Sequence, residues 1–394
     1  MNNEYRIILQ ILNAFLNNKK MTVSKHCDWK KVNKLLEINS ITGIAGYVFN
    51  ELTEGDIPEP VLEKFLNEYL NTISISTIRD EAMKDLIDQM NQQEIEHLLF
   101  KGLIVKDLYT VPELRTFGDI DFAIHKSDRG RSNSLMLKLG YQSHDDWEPV
   151  YSYQRDFEYY EIHTQILDSD INGRTTVQEY FRDFWNRSVQ RDRHTYVLDK
   201  EYHLIYLLVH IAKHIYSSGA GIRMYLDIAF YLLKYRDIID WGHFQKEVHQ
   251  LNLERFVNTV FVAVETWFDV KSPIPTENLD TEFLNSFLAF TMNGGVFGIE
   301  DKSFGEVDLR KNAKGGKINR MSTFFHRAFP SASTLEVRYS YLQRKHWLLP
   351  AAWIHRVLKK KHSTTEYVRE TKDIFFADEA ELKQTQRLFN KIGL

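Results

Sequence analysis

Cysteine is all but missing: Cys27 stands alone in 394 residues. One thiol cannot close an intrachain disulfide or build a cysteine metal site, and it fits a reducing compartment. Proline (8) and glycine (18) are also scarce, which argues against low-complexity or linker-like composition. No apolar run approaches the roughly 20 residues that cross a bilayer. The first residues, Met1-Asn-Asn-Glu-Tyr-Arg6, offer neither the basic region nor the apolar core of a secretory signal. A cytoplasmic protein is expected.

What the chain has instead is aromatic side chains, 25 Phe and 20 Tyr, in a composition 43% hydrophobic and 26% charged. That is the balance of a globular protein, with length for two or three domains. The net charge of −4 hides an asymmetry: residues 310–361 hold thirteen Lys or Arg and one acid, Glu336, so that segment carries +12 and the remainder −16. The aromatics Phe324, Phe325, Phe329, Trp347 and Trp353 are interleaved with those cations. A triphosphate, a nucleic acid or an anionic membrane surface would suit such a stretch, as would an ordinary aromatic-anchored helix pair with solvated lysines. On charge alone a single triphosphate is favoured, because the acidic remainder repels larger polyanions. Membrane-surface contact through 310–361 is the less favoured option.

Apolar residues Ile7, Ile8, Ile11, Leu12 and Phe15 mark one face of a helix over 3–17. Further helices are expected over 28–36, capped by Asp28, over 42–52, and from Pro60 to about Gln93. Residues 1–94 thus read as a helical subdomain. A core follows over 95–198, with a helix at 128–139 stopped by Gly140 and strands at 150–154 and 156–166. From Glu201 the pattern is helical to the end, making 199–394 a C-terminal helical domain interrupted by a glycine-rich loop over 293–317. The fold class is α/β: a small mixed sheet between a helical N-terminal subdomain and a larger helical C-terminal domain.

The chemistry concentrates around Arg115-Thr-Phe-Gly118-Asp119-Ile120-Asp121-Phe-Ala-Ile124. Gly118 allows a tight turn, and the alternation after it predicts a strand. Asp119 and Asp121 then share a face, where they repel each other unless a hard cation such as Mg²⁺, or Mn²⁺ in its place, neutralises them. Two solvent-facing surface acids are the plainer alternative. Upstream, Glu96-His-Leu-Leu-Phe100-Lys101-Gly102 reads as a strand opening through glycine into a helix over 103–109. Free N–H groups at that junction, with the Lys101 charge beside them, would seat phosphate.

The ordered set Lys101-Gly102, Arg115, Gly118-Asp119-Ile120-Asp121 resembles the bacterial "uncharacterised nucleotidyltransferase" branch of the DNA polymerase β-like superfamily. It is similar, more loosely, to abortive-infection type nucleotidyltransferase toxins. The resemblance spans about residues 96–230. One departure is that Lys101-Gly102 replaces the superfamily's usual Gly-Ser, so no serine contact to phosphate carries over. Family members place a third carboxylate on a neighbouring strand, and Glu161 in Phe157-Glu-Tyr-Tyr-Glu161-Ile-His163 is the candidate. A surface cross-strand charge is the alternative for Glu161, and a structural histidine is the alternative to metal or nucleotide contact for His163.

His203, His210 and His214, seven and four apart, face one side of a helix. They lack the His-Glu-x-x-His arrangement of a zinc helix, and the functional alternative is that Lys213 or His214 points into a nucleotide cleft. The Arg223-x-x-x-Asp227 pair that follows a glycine turn resembles the family's second block, which implies that Arg223 contacts phosphate and Asp227 orients it or the acceptor. An exposed i,i+4 ion pair is the plain reading.

Taken together, the resemblance implies nucleotidyl transfer from an NTP to an acceptor, with Asp119, Asp121 and Glu161 holding Mg²⁺ or Mn²⁺. Lys101, Gly102, Arg115, Gly118, Lys213, Arg223 and Asp227 would contact the nucleotide. The acceptor (small molecule, sugar, protein or RNA end) is left open. A non-catalytic nucleotide- or partner-binding module on the same fold is the other reading.

Overall fold

The computed structural model describes residues 2–23, 27–54, 57–167, 171, 175–217, 219–295, 309, 319–335, 339–343, 345–359, 374–376 and 378–394. It divides into two compact units, one of residues 1–215 and 219–298, the other of 216–218 and 299–394. No helix among the described residues is long and apolar enough to cross a membrane.

The first unit begins with α1 (Asn3–Asn17), β1 (Met21–Thr22), α2 (Trp29–Ile38), α3 (Thr42–Tyr47), β2 (Thr53–Glu54) and the 34-residue α4 (Glu59–Gln92). Asp28 caps α2 as expected, accepting from the N–H groups of Lys30 and Lys31. The helix predicted over 42–52 ends early, continuing from Val48 to Leu52 as a π-turn. α3 approaches α4 closely: a Cβ on Gly46 would collide with the Phe65 carbonyl and the Tyr69 side chain. Only glycine permits that approach.

The sheet follows: β3 (His97–Leu99), β4 (Ile120–Ile124), β5 (Gln142–Trp147), β6 (Val150–Arg155), β7 (Glu158–His163), β8 (Ser188–Asp192) and β9 (Thr195–Leu198). Its order is β5-β6-β7-β4-β3-β9-β8, mixed in direction, with β4 parallel to β7 and antiparallel to β3. β5, β8 and β9 are additions to the predicted strands. β5 reads Gln-Ser-His-Asp-Asp-Trp and lies at a sheet edge, where no apolar alternation is required of it. Between β3 and β4 the predicted 103–109 helix shrinks to α5 (Gly102–Val105) and a 3-10 turn, Lys106–Leu108. The predicted 128–139 helix appears as a 3-10 turn, Lys126–Asp128, leading into α6 (Arg129–Lys138), with Gly140 at φ +87° after it.

The central strand β4 is buried along its whole length. Ile120, Phe122 and Ile124 join Tyr160 and Ile162 of β7 in a core with Met83, Leu86 and Met90 of α4 and Leu135 and Met136 of α6. Alternation therefore sends Asp121, Glu161 and His163 to the other face. That face meets α8 (Lys200–Ser217), which follows α7 (Thr175–Tyr180): the Phe100 and Tyr206 rings are edge to face at 5.3 Å. The unit closes with α9 (Ile222–Tyr235), α10 (Trp241–Gln250), α11 (Glu254–Phe268) and α12 (Thr281–Gly294).

In the second unit the described helices are α13 (Arg320–Ala328), α14 (Ala332–Leu335), α15 (Leu349–Lys359) and α16 (Glu379–Ile392). Most of the loop predicted over 293–317 lies outside the described residues, as do 310–318, 336–338, 344, 360 and 361 of the basic segment.

Candidate active site

The carboxylates converge because two parallel strands lie in register. Asp121 of β4 is paired with Glu161 of β7, and Ala123 with His163. One donor atom from each of Asp121, Glu161 and His163 lies within 4.8 Å of the others. Asp119 precedes β4 instead of lying within it, yet it is close enough to act on Glu161. Burial first, then the charges of Asp119 and Asp121, push the Glu161 carboxyl up to about 7, against the pull of Lys101 and Lys213. Asp119 is raised as well, by burial and then by Asp121. Burial opposes ionisation of Asp121 too, but the Lys101 ammonium and then His163 outweigh it and hold that carboxyl well below the usual range.

Asp121 Oδ1 accepts from Lys101 Nζ at 2.6 Å and from His163 Nε2 at 2.7 Å. A ring lone pair facing a carboxylate oxygen at that distance would repel it, so Nε2 carries the proton. His163 Nδ1 is buried with no partner. Metal-ligating histidines donate their second ring N–H to an acceptor, and Nδ1 has none. The geometry thus makes His163 a donor that orients Asp121, with the Phe100 ring edge-on against it at 5.5 Å.

Lys101 has φ 52° and ψ −132°, a backbone region favouring glycine and costing other residues on the order of 1–3 kcal/mol. Gly102 is required next to it, since a Cβ there would fall inside the Arg115 guanidinium and against the Phe117 ring. The Lys101 N–H donates to His203 Nε2 of α8 at 3.2 Å. The sequence predicts free N–H groups here as a phosphate seat; the structure gives the Lys101 amide to His203 and covers Gly102 with Arg115. What this junction presents to the carboxylates is the Lys101 ammonium.

Arg115 is buried, its Nη2 donating to Asp227 Oδ2 at 2.8 Å and its Nε to Oδ1 at 3.3 Å, with the guanidinium over the Phe117 ring at 5.0 Å. The Tyr109 hydroxyl donates to the same Asp227 Oδ1 at 2.7 Å. Arg223, also buried, donates through Nη1 to the carbonyl and hydroxyl oxygens of Thr116, each at 2.6 Å. The predicted Arg223–Asp227 pair is therefore divided: Asp227 grips Arg115, and Arg223 braces the loop that leads to Asp119. Burial and then Arg115 lower Arg223 to about 10.

α8 supplies the wall. Tyr206 stacks on His210 with centroids 6.0 Å apart, and His210 meets His214 at 4.5 Å. Burial and then Lys101 depress His214 to about 4, while burial and then His214 depress His210 well below its ordinary value. Burial and then Lys200 take His203 to about 3. All three imidazoles are neutral at pH 7. The seven-and-four spacing signalled this face of α8. Tyr109, Thr116 and the His203 contact had no signal, because each is a side chain meeting a segment remote in sequence. Gly118 is exposed immediately before Asp119.

Asp119, Asp121, Glu161, Lys101 and Lys213 are thus brought together, beside a network of buried Arg115, Arg223, Asp227 and Tyr109 with half-buried Thr116. The oxygen donors Asp119, Asp121 and Glu161, two of them raised by burial and then by their neighbours' negative charge, fit a hard divalent cation. No curated protein matches the chain, and no solved structure does. A family model described as "Uncharacterised nucleotidyltransferase" matches residues 25–269, a span running from before α2 through the whole sheet to α11. The chain belongs to this uncharacterised nucleotidyltransferase family.

Proposed function

We propose that the protein is a metal-dependent nucleotidyltransferase of the DNA polymerase β-like kind, moving NMP from an NTP to an acceptor hydroxyl and releasing pyrophosphate. The observation that carries this reading is the in-register Asp121–Glu161 pair, with Asp119 beside it, facing a wall of cations. Asp119, Asp121 and Glu161 would hold Mg²⁺ or Mn²⁺, which supplies charge neutralisation and polarises the α-phosphate. Four cationic side chains (Lys101, Arg115, Lys213, Arg223) stand against four carboxylates (Asp119, Asp121, Glu161, Asp227). The protein thus contributes almost no net charge at full ionisation. A triphosphate carrying about four negative charges is then matched by two divalent cations.

The acceptor oxygen forms a bond to the α-phosphorus as the bond to the bridging oxygen of the pyrophosphate breaks. The acceptor proton passes to a carboxylate oxygen of the Asp119, Asp121 and Glu161 cluster. With Mg²⁺ or Mn²⁺ held by the carboxylates, the Lys101 ammonium, which lies on Asp121 at 2.6 Å, would neutralise charge gathering on the leaving group. His163 keeps Asp121 oriented throughout.

The alternative, a non-catalytic module, would draw on the Lys101–Asp121 ion pair as a permanent internal counter-ion. Incubation with each α-labelled NTP, Mg²⁺ or Mn²⁺ and a host lysate separates the two. Label transfer with pyrophosphate release is expected, and Asp121→Asn should abolish it with the circular dichroism unchanged. Undiminished transfer in Asp121→Asn would remove the assignment, and NTP binding without pyrophosphate release would favour the module.

A further inference from the structure

We propose that the exposed apolar side chains of α13 and of the 347–354 stretch form a docking surface for an anionic membrane. α13 and the residue that caps it expose Met321, Phe325 and Phe329, each 50–54% accessible and spaced by four residues. On the turn leading into α15, and along its exposed side, come Trp347 at 75% and Ile354 at 63%, with Pro350 and Ala351 exposed between them. These positions follow i, i+3, i+4, i+7, the apolar stripe a globular helix ordinarily buries. Phe325 stacks on Phe329 at 6.3 Å, and Phe329 meets Trp353 of α15 edge to face at 5.0 Å, so the two helices present one continuous apolar tract. Phe376 is 82% exposed, and its neighbour Phe375 touches Phe324 at 5.7 Å. Seven large apolar side chains are thus exposed among the described residues of 319–376, a concentration that marks an interaction surface.

Charge identifies the occupant. Met321 to Ile354 lie within residues 310–361, which hold thirteen cations against Glu336 alone; Glu366, Glu370 and Asp373 come only beyond that segment, before Phe375 and Phe376. A second copy of the chain would bring the same +12 against it, and like charges at a self-complementary interface repel. Nucleic acid would use the aromatic rings but has no use for Met321, Pro350, Ala351 and Ile354, which cannot stack on bases in the way aromatic platforms do. An anionic lipid surface uses both: Trp, Phe and aliphatic side chains enter the headgroup boundary while Lys and Arg meet the lipid phosphates. The exposed aliphatic stripe therefore reverses the preference for a single triphosphate that charge alone gave.

The test uses the full chain sedimented with vesicles of phosphatidylcholine alone and of phosphatidylcholine with phosphatidylglycerol, in low and high salt. Binding is expected to the anionic vesicles, weaker by about tenfold or more on neutral vesicles, at high salt, and in Phe325→Glu or Trp347→Glu. Both positions are exposed, so an unchanged melting temperature separates lost docking from lost folding. Equal affinity for the two vesicle types, binding to neither, or undiminished binding in both variants overturns the proposal. So does tRNA binding, or dimerisation in light scattering, that the same two substitutions abolish.

Discussion

Replacing Glu161 by Gln should stabilise the metal-free protein at alkaline pH. The ordinary glutamate value is 4.5 and Glu161 stands at about 7, so the folded state holds a proton over a range where the unfolded chain has released it. Stability from this group is fully present below pH 4.5 and is lost as pH rises through 7. At about 1.4 kcal/mol per pH unit, the interval corresponds to roughly 3 kcal/mol. Glutamine keeps the shape without the charge, and it also relieves Asp119 of one repelling neighbour. The metal-free wild type should therefore melt several degrees lower at pH 8.5 than at pH 5.5, at roughly 2 °C per kcal/mol for a unit of this size. Glu161→Gln should flatten most of that slope and melt higher than wild type at pH 8.5. Mn²⁺ should flatten it in the wild type alone, because a cation stabilises the ionised carboxylate. Scanning fluorimetry across pH, with and without Mn²⁺, measures all of this. An unaltered slope in Glu161→Gln would refute the argument, since Glu161 would then not be the group held protonated by burial and its two neighbours.

His163 and Lys101 give two further tests. If His163 orients Asp121 by donating a hydrogen bond, His163→Gln should keep Mn²⁺ affinity within a few fold, while His163→Leu should lose about 10–100-fold. Nitrogen hyperfine coupling in the Mn²⁺ spin-echo spectrum, lost on substitution, would instead make the histidine a ligand. Lys101→Met removes the buried counter-ion of Asp121 and should cost about 3–5 kcal/mol. Lys101→Gly removes the same charge but relieves the left-handed backbone, and should be about 1 kcal/mol less destabilising than Met; urea titrations giving equal losses would mean the strain at Lys101 is absent.

Local pattern determined a good deal of this protein. The alternation after Gly118 marked β4, and the parity of Tyr159, Glu161 and His163 put Glu161 on one face with His163. Asp28 announced the start of α2, and Gly140 the end of α6. The histidine spacing marked the face of α8 that meets the site. In each case the signal is a period or a cap, which neighbouring residues can write by themselves. Tertiary structure decided the rest. That Asp121 stands opposite Glu161 follows from parallel pairing of two strands some forty residues apart. That Asp227 holds Arg115 and leaves Arg223 to Thr116 depends on how α9 meets the loop before β4. At Lys101-Gly102, the Lys101 amide goes to His203 and Arg115 packs against Gly102, both brought from elsewhere in the chain. The basic, aromatic segment read as a charge pattern; only the packing of α13 and α15 showed which apolar residues were left facing outward. Periodicity fixes which side of an element a residue occupies, but a partner's identity depends on long-range contacts that no local pattern encodes.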